Sequence, residues 1–309
     1  MSSVKYDYPE YSKLPDVAEG KPSVALSIPK VGIKGFEMPI AWIFSHMAKD
    51  CGSDILMCEE DYGEQLTKIN VYANVTEEQK GLSMSMIPLT LYEFANRREE
   101  GSFEYNFFLG LKLITLSLKE NLKADDVYIK LSAKLPFKQK SLKTGFKATK
   151  YYPISIQTRS KPNEEELLHY ITVTIDYSSS CPCSLELSKS YQKENKNSYP
   201  VPHSQRSTAE VTIKPVTGVC VSLREYVELI EDAIKTPTQV LVRRLDEQEF
   251  AIRNGEHPKF VEDSARYIKQ KLDEQTNIAD FVAIITHEES LHPFDVQAII
   301  YKGIPNGLR

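Results

Sequence analysis

Cysteine is scarce in this chain: five in 309 residues, an odd number. That argues against a disulfide framework and points to a compartment where thiols stay reduced, so the cytoplasm is expected. No apolar run is long enough to cross a bilayer, which sets aside a membrane span. The first ten residues lack the apolar core of a secretory signal. Positive charge is short as well. Lys and Arg number 38 against 43 Asp and Glu, a net charge of −5. Bulk electrostatics therefore draw in neither nucleic acid nor an anionic membrane, and a phosphorylated ligand needs a local basic pocket. What is present, 41% hydrophobic and 26% charged residues, is ordinary for a globular chain of one large or two medium domains.

Periodicity organises the chain. Residues 1–24 are polar, hold three prolines and have no period, and read as a flexible or loosely docked arm. A strand region is expected over 25–47, with Gly32 and Gly35 as bend or bulge positions. Another follows over 65–75, where Leu66, Ile69, Val71, Ala73 and Val75 carry the apolar pattern. Helices are expected over 88–98 and 104–122, then strands over 126–136 and 146–156. The second half has strands at 168–177 and 207–215 and helices at 222–235 and 259–275. Strands at 278–286 and 295–301 close it. Ser222 and Glu225 form a capping box at the start of the third helix, and Asn254-Gly255 marks a turn before the fourth. Each half thus reads strand, strand, helix, helix, strand, strand, without residue-level identity between halves. The expected class is α+β, with two tandem ββααββ units over 25–160 and 161–309, antiparallel sheets and helices on one face. Such units leave a sheet face and edges uncovered, which favours self-association.

One stretch stands apart. Cys181-Pro182-Cys183 follows the strand at 168–177, and His203 comes 20 positions after Cys183, just before the next alternating run. Proline between the cysteines fixes one φ angle and stiffens their spacing. Thiolate and imidazole on two strand ends suit zinc or another borderline transition metal. Taken alone, Cys181 reads equally well as a buried free thiol.

Ser180-Cys-Pro-Cys-Ser184, Pro202-His-Ser-Gln-Arg-Ser207, Arg243-Arg-Leu-Asp-Glu247, Pro258-Lys-Phe-Val-Glu-Asp263 and Glu289-Ser-Leu-His292 occur in that order. They resemble the signature blocks of the type IB GTP cyclohydrolases, and Val31-Gly-Ile-Lys-Gly35 resembles that family's first strand. The resemblance covers roughly residues 25–305. It implies a tunnelling fold (T-fold), two units per subunit, in a homotetramer with sites at or near subunit interfaces. The implied reaction opens the imidazole ring of GTP, releases formate and closes a dihydropterin ring, giving 7,8-dihydroneopterin triphosphate for folate or 7-deazaguanosine tRNA precursors.

By the same resemblance, Cys181, His203 and Glu247 are the ligands of one divalent metal, zinc, manganese or iron, which activates a water toward C8 of the purine. Cys183 is the second cysteine of the motif, a proton donor, alternate ligand or positioning group. Glu262 anchors guanine, since a carboxylate accepts side by side from N1–H and the 2-amino group. Asp263 beside it reads as an ordinary helix N-terminal acid. His292 is the general acid or base, whereas His257 and His287 read as solvent-exposed loop residues. Arg206, then Arg243 and Arg244, are the triphosphate contacts, or else solvated surface charges. The chain departs from the pattern at Pro293-Phe294, at Leu245, and in a polar insert at 191–198 that reads as a surface loop.

Three rivals are weighed. An archaeal-type GTP cyclohydrolase with similar motifs ends in a cyclic phosphate. A nitrile reductase of the same fold lacks the Cys-Pro-Cys pair with downstream His and Glu. A non-catalytic zinc-binding protein would hold metal without releasing formate. A zinc deaminase is set aside, because its Cys-x-x-Cys spacing and His-x-Glu motif are absent.

Overall fold

The computed structural model describes residues 17, 18, 20–44, 56, 57, 60–99, 107–160, 162 and 166–308. The first sixteen residues of the expected arm lie outside these. Of the described arm residues, Gly20 accepts from the Lys80 N–H (3.0 Å) and Ala18 from the Gly81 N–H (3.2 Å).

The elements run β1 (Ile28–Phe44), β2 (Leu56–Met57), β3 (Glu60–Val75), α1 (Met86–Glu99), α2 (Phe107–Leu122), β4 (Val127–Lys140) and β5 (Lys147–Arg159). They continue with β6 (Leu168–Ser180), α3 (Pro182–Glu194), β7 (Ser204–Pro215), β8 (Cys220–Val221) and α4 (Leu223–Ile234). Last come α5 (Arg244–Glu256), α6 (Val261–Asp273), β9 (Ile278–His287) and β10 (Val296–Tyr301). Eight strands form one antiparallel sheet in the order β1-β3-β4-β5-β6-β7-β9-β10. The two-residue strands β2 and β8 pair separately, in parallel.

This corrects the expected pair of ββααββ T-fold units. β5 and β6 are hydrogen-bonded neighbours, from Ile154↔Val173 to Arg159↔Leu168, so the sheet runs unbroken through the middle of the chain. The second half also carries two helices that strand-and-helix periodicity did not reveal, α3 and α5. Neither has a strong apolar stripe: α3 buries no side chain fully and α5 only Asp246. The tail of the 191–198 insert follows directly from α3, and Asn254-Gly255 lies inside the last turn of α5 rather than in a loop. Local turn chemistry at Asn-Gly was overridden by the helix around it.

Strand alternation places Ile69, Val71, Ile129, Ile156, Ile171, Val173, Val211 and Ile285 in the core, each at most 1% exposed. Helices α2, α4 and α6 supply Leu118, Ile230, Ile234, Ile268 and Leu272. Trp42, Phe44, Phe107 and Phe108 form an aromatic cluster with ring centroids 5.1–6.2 Å apart. On the opposite face, Lys68, Lys130, Thr174 and Glu210 line an open polar groove. Gly35 takes φ +79°, and Gly32 lies so close to β3 that a Cβ would sit 1.9 Å from the Val71 carbonyl oxygen. Both flank register shifts in β1, as expected of bend positions. Among the described residues no helix is long and apolar enough to cross a membrane.

Candidate functional site at one end of the sheet

Strand register decides which chain-distant residues meet. Following β5 back from Ile154 to Lys147 follows β6 forward from Val173 to Ser180, so the β4–β5 hairpin tip and the end of β6 share one pole. Ser180 pairs with Ser204 at the start of β7, and Ser207 pairs with His287 at the end of β9. The Cys-Pro-Cys segment, His203 and the 288–295 loop therefore emerge together.

Cys181 and His203 are held by their backbones. The Cys181 N–H donates to the His203 carbonyl at 3.1 Å. The His203 N–H donates to Ser184 Oγ at 3.1 Å, and that hydroxyl donates to the Cys181 carbonyl at 3.2 Å. Pro182 opens α3 with Cys181 as its N-cap, the position where a missing N–H costs nothing. Cys181 is half-buried and Cys183 is exposed.

α5 and α6 begin at the same pole. The buried Asp246 carboxylate accepts from the N–H of Lys143 (2.8 Å), Thr144 (2.9 Å) and Arg243 (2.9 Å), and from Thr144 Oγ1 (2.6 Å). Burial alone would raise this carboxyl. The Thr144 hydroxyl and the three N–H groups outweigh it and hold Asp246 well below the usual carboxylate range. The start of α5 is thereby riveted to the β4–β5 hairpin, with Glu247 exposed on the first turn and Arg243 and Arg244 exposed beside it. The Lys259 N–H donates to the Ser180 carbonyl at 3.0 Å, tying the entry of α6 to the end of β6. Glu262 is exposed on the first turn of α6. Asp263 accepts from the Phe260 N–H at 3.1 Å, the helix-start role expected of it.

Register and tethers thus carry the nine site residues to one end of the sheet, where a backbone hydrogen bond joins Cys181 to His203 across two elements. Arg206 is exposed on β7. His292 is exposed in the last loop, stacked on Phe294 with centroids 4.8 Å apart and planes at 7°. The Pro293-Phe294 departure therefore gives His292 an aromatic partner. Among the described residues no group of three His, Cys, Asp or Glu side chains is arranged to hold a metal. The donor chemistry of Cys181 and His203 fits a borderline divalent ion, and Glu247 offers a carboxylate on the first turn of α5.

Sequence reading gave no role to a buried polar floor beneath these residues. Gln205 Nε2 donates to Ser179 Oγ at 3.0 Å and to Glu289 Oε1 at 3.1 Å. Ser179 Oγ lies 2.8 Å from Ser207 Oγ and 3.3 Å from His287 Nδ1. His287 Nε2 meets the Tyr177 hydroxyl at 2.8 Å. His287 is 1% exposed, which corrects its reading as a surface loop residue: it closes β9, facing the core. Burial, with a smaller contribution from the nearby Lys259 charge, pushes its pKa down to about 4. Lys259, also buried, donates to Thr236 Oγ1 at 3.0 Å, and burial lowers it to about 8. The available signal was the polar in-facing run Ser179, Gln205 and Ser207 where the strand pattern otherwise demands apolar residues.

Comparison with known proteins adds the family. A family model described as type I GTP cyclohydrolase FolE2 matches residues 14–298. GTP cyclohydrolase FolE2 of Cereibacter sphaeroides is 33% identical over 297 residues, covering 94% of this chain and 76% of that protein. The protein of the same name from Paracoccus denitrificans is 30% identical over 298 residues, covering 94% and 85%. Among solved structures, a hyperthermostable mutant of Bacillus sp. TB-90 urate oxidase aligns with TM-score 0.50 at 7% identity, covering 89% of this chain and 98% of that one. That likeness concerns the fold alone, and it agrees with the correction to a uricase-like continuous sheet. Ordered motif blocks, their convergence at one pole and a family match over most of its length lead to one conclusion: this chain belongs to the type I GTP cyclohydrolase FolE2 family.

Proposed function

We propose that the chain is a GTP cyclohydrolase I, taking GTP and water to 7,8-dihydroneopterin triphosphate and formate in the cytoplasm. The observation that carries the site assignment is the backbone-locked pairing of Cys181 with His203 at the pole where α5 and α6 begin. In this reading Cys181, His203 and Glu247 hold one divalent metal, zinc, manganese or iron. When bound, that ion supplies the Lewis acidity that makes water a competent nucleophile near neutral pH.

The chain's own residues do the rest. Glu262 accepts from guanine N1–H and the 2-amino group, which adenine cannot offer. His292 moves protons as the ring opens and formate departs, with Phe294 holding its plane. Cys183, exposed one residue beyond Pro182, donates or accepts a proton beside the reacting carbon. Arg206, Arg243 and Arg244 grip the triphosphate, since forked guanidinium donors match phosphate oxygens. All nine lie in the second half of the chain, 161–309. Four copies assemble, with sites at or near their interfaces; β1 and β10 are the two edge strands of the described sheet, and an edge strand can pair with another copy. The product feeds folate or 7-deazaguanosine tRNA precursors.

The deciding experiment is incubation of metal-reconstituted protein with GTP, following formate and the fluorescence of the oxidised pterin. Formation of both is expected, with dihydroneopterin triphosphate identified by mass spectrometry; a cyclic phosphate product would overturn the reaction assigned. Cys181→Ala and His203→Ala should each lose metal, and stoichiometric metal in both would remove the ligand set. Glu262→Gln should keep metal yet lose GTP turnover; near-normal turnover would exclude it as the guanine anchor.

A further inference from the structure

The floor of the site contains a chain of hydrogen bonds whose direction can be worked out. Glu289 Oε1 lies 3.1 Å from Gln205 Nε2, and an ionised carboxylate only accepts. The Gln205 amide must therefore turn its NH2 toward Glu289, and Ser179 Oγ at 3.0 Å takes the other amide hydrogen. Its Oε1 is then forced to the opposite side, 3.1 Å from His203 Nδ1. An amide oxygen accepts and cannot donate, so Nδ1 must carry the hydrogen. In the neutral ring Nε2 is left with the free lone pair.

We propose that Gln205 is the positioning residue that fixes the Nδ1–H tautomer of His203 and so presents Nε2 as its metal-binding atom, with Glu289 setting which way the Gln205 amide points. The inference rests on the reading of His203 as a ligand. The remaining groups facing the ring on this side agree with it. Ser290 Oγ, 3.5 Å from Nδ1, can accept from it, and Glu289 Oε2, 3.8 Å away and beyond hydrogen-bond reach, puts negative charge on the side of the Nδ1 hydrogen. The support is rigid because it is buried. Gln205 is 8% exposed and Ser179 and Ser207 are fully buried, with Ser179 Oγ wedged between Ser207 and His287. Outer partners of a metal-bound histidine typically change metal affinity by about 10- to 100-fold when removed, because the ring loses its tautomer and its angle.

Two measurements test it. In metal-free wild-type protein at pH 8 with 15N-labelled histidine, solid-state 15N NMR should show His203 as the Nδ1–H tautomer, the signal assigned by its loss in His203→Ala. An Nε2–H ring overturns the proposal whatever the metal does. Zinc affinity, read by competition with a chromophoric chelator, should fall about 10- to 100-fold in Gln205→Leu and at least severalfold in Glu289→Gln. In both variants the His203 signal should split between tautomers, a change that loss of packing alone does not produce. Affinity within twofold of wild type with the tautomer unchanged overturns the role of the residue altered. Glu289→Gln, a change of equal size in the loop after β9, carries the test if Gln205→Leu does not fold. A wild-type chain that keeps the Nδ1–H tautomer but binds no zinc, manganese or iron would instead overturn the ligand reading, so the two failures are distinguishable.

Discussion

His287 shows how far one side chain's surroundings govern its chemistry. On a loop it would titrate near the ordinary histidine value; at the buried end of β9 it is held neutral, its pKa near 4. Because the folded value lies below the unfolded one, the unfolded chain binds more protons between about pH 6.5 and 4. Stability from this group is present above pH 6.5 and lost as pH falls toward 4, by roughly 3 kcal/mol in total. Urea denaturation of wild type and His287→Gln at pH 7 and pH 4.5 should therefore show a gap that narrows on acidification; a gap that widens would mean the imidazole is charged in the folded state. Lys259 carries the same sign at higher pH. Its folded value of about 8 means its burial weighs least above pH 10.5, where it is largely neutral in both states.

The helix α4 shows the limits of local capping rules. Ser222 Oγ accepts from the Glu225 N–H at 3.0 Å, as its position before an apolar stripe predicts. The reciprocal partner is not Glu225, however. Glu60, at the start of β3, accepts from the N–H groups of Leu223 (3.0 Å) and Arg224 (3.1 Å) and from the Ser222 hydroxyl (2.8 Å). A carboxylate 162 positions away in sequence thus satisfies the helix start that periodicity would close locally. Glu60→Ala should cost about 1–2 kcal/mol, read as a lower urea midpoint at unchanged slope. Glu225→Ala should cost less, and equal losses would restore the local capping box.

The eight-stranded sheet has two edge strands and a second face outside its core. Its edges are β1 and β10, and its polar face is a groove rather than a core. An uncovered antiparallel edge templates another strand. On the proposed tetramer, light scattering should give the mass of four chains. Ile299→Lys, which places charge on an exposed apolar position of β10, should shift the population to smaller species. A monomeric wild type would remove the tetramer and with it the sharing of sites between subunits.

Much of the strand pattern was legible because alternation of apolar residues is a local record of which face is buried. β3, β6, β7 and β9 and the helices α4 and α6 could be placed from the Ile69–Val75 alternation and from stripes such as Leu223, Tyr226, Val227 and Ile230, although Leu66, counted with the β3 pattern, is exposed on the groove face. The order of chemical blocks, Cys181 to His292, was legible for the same reason: residue types and spacing are written in the chain. α3 and α5 were not, since a helix lying on the surface with no buried stripe leaves no period to read. Nor was the unbroken sheet, because nothing local records whether β5 pairs with β6. Strand order is a sum of long-range pairings. Only that sum put Ser179, Gln205, His287 and Glu289 beneath Cys181 and His203, since hydrogen bonds between residues up to 108 positions apart exist only once the register is fixed.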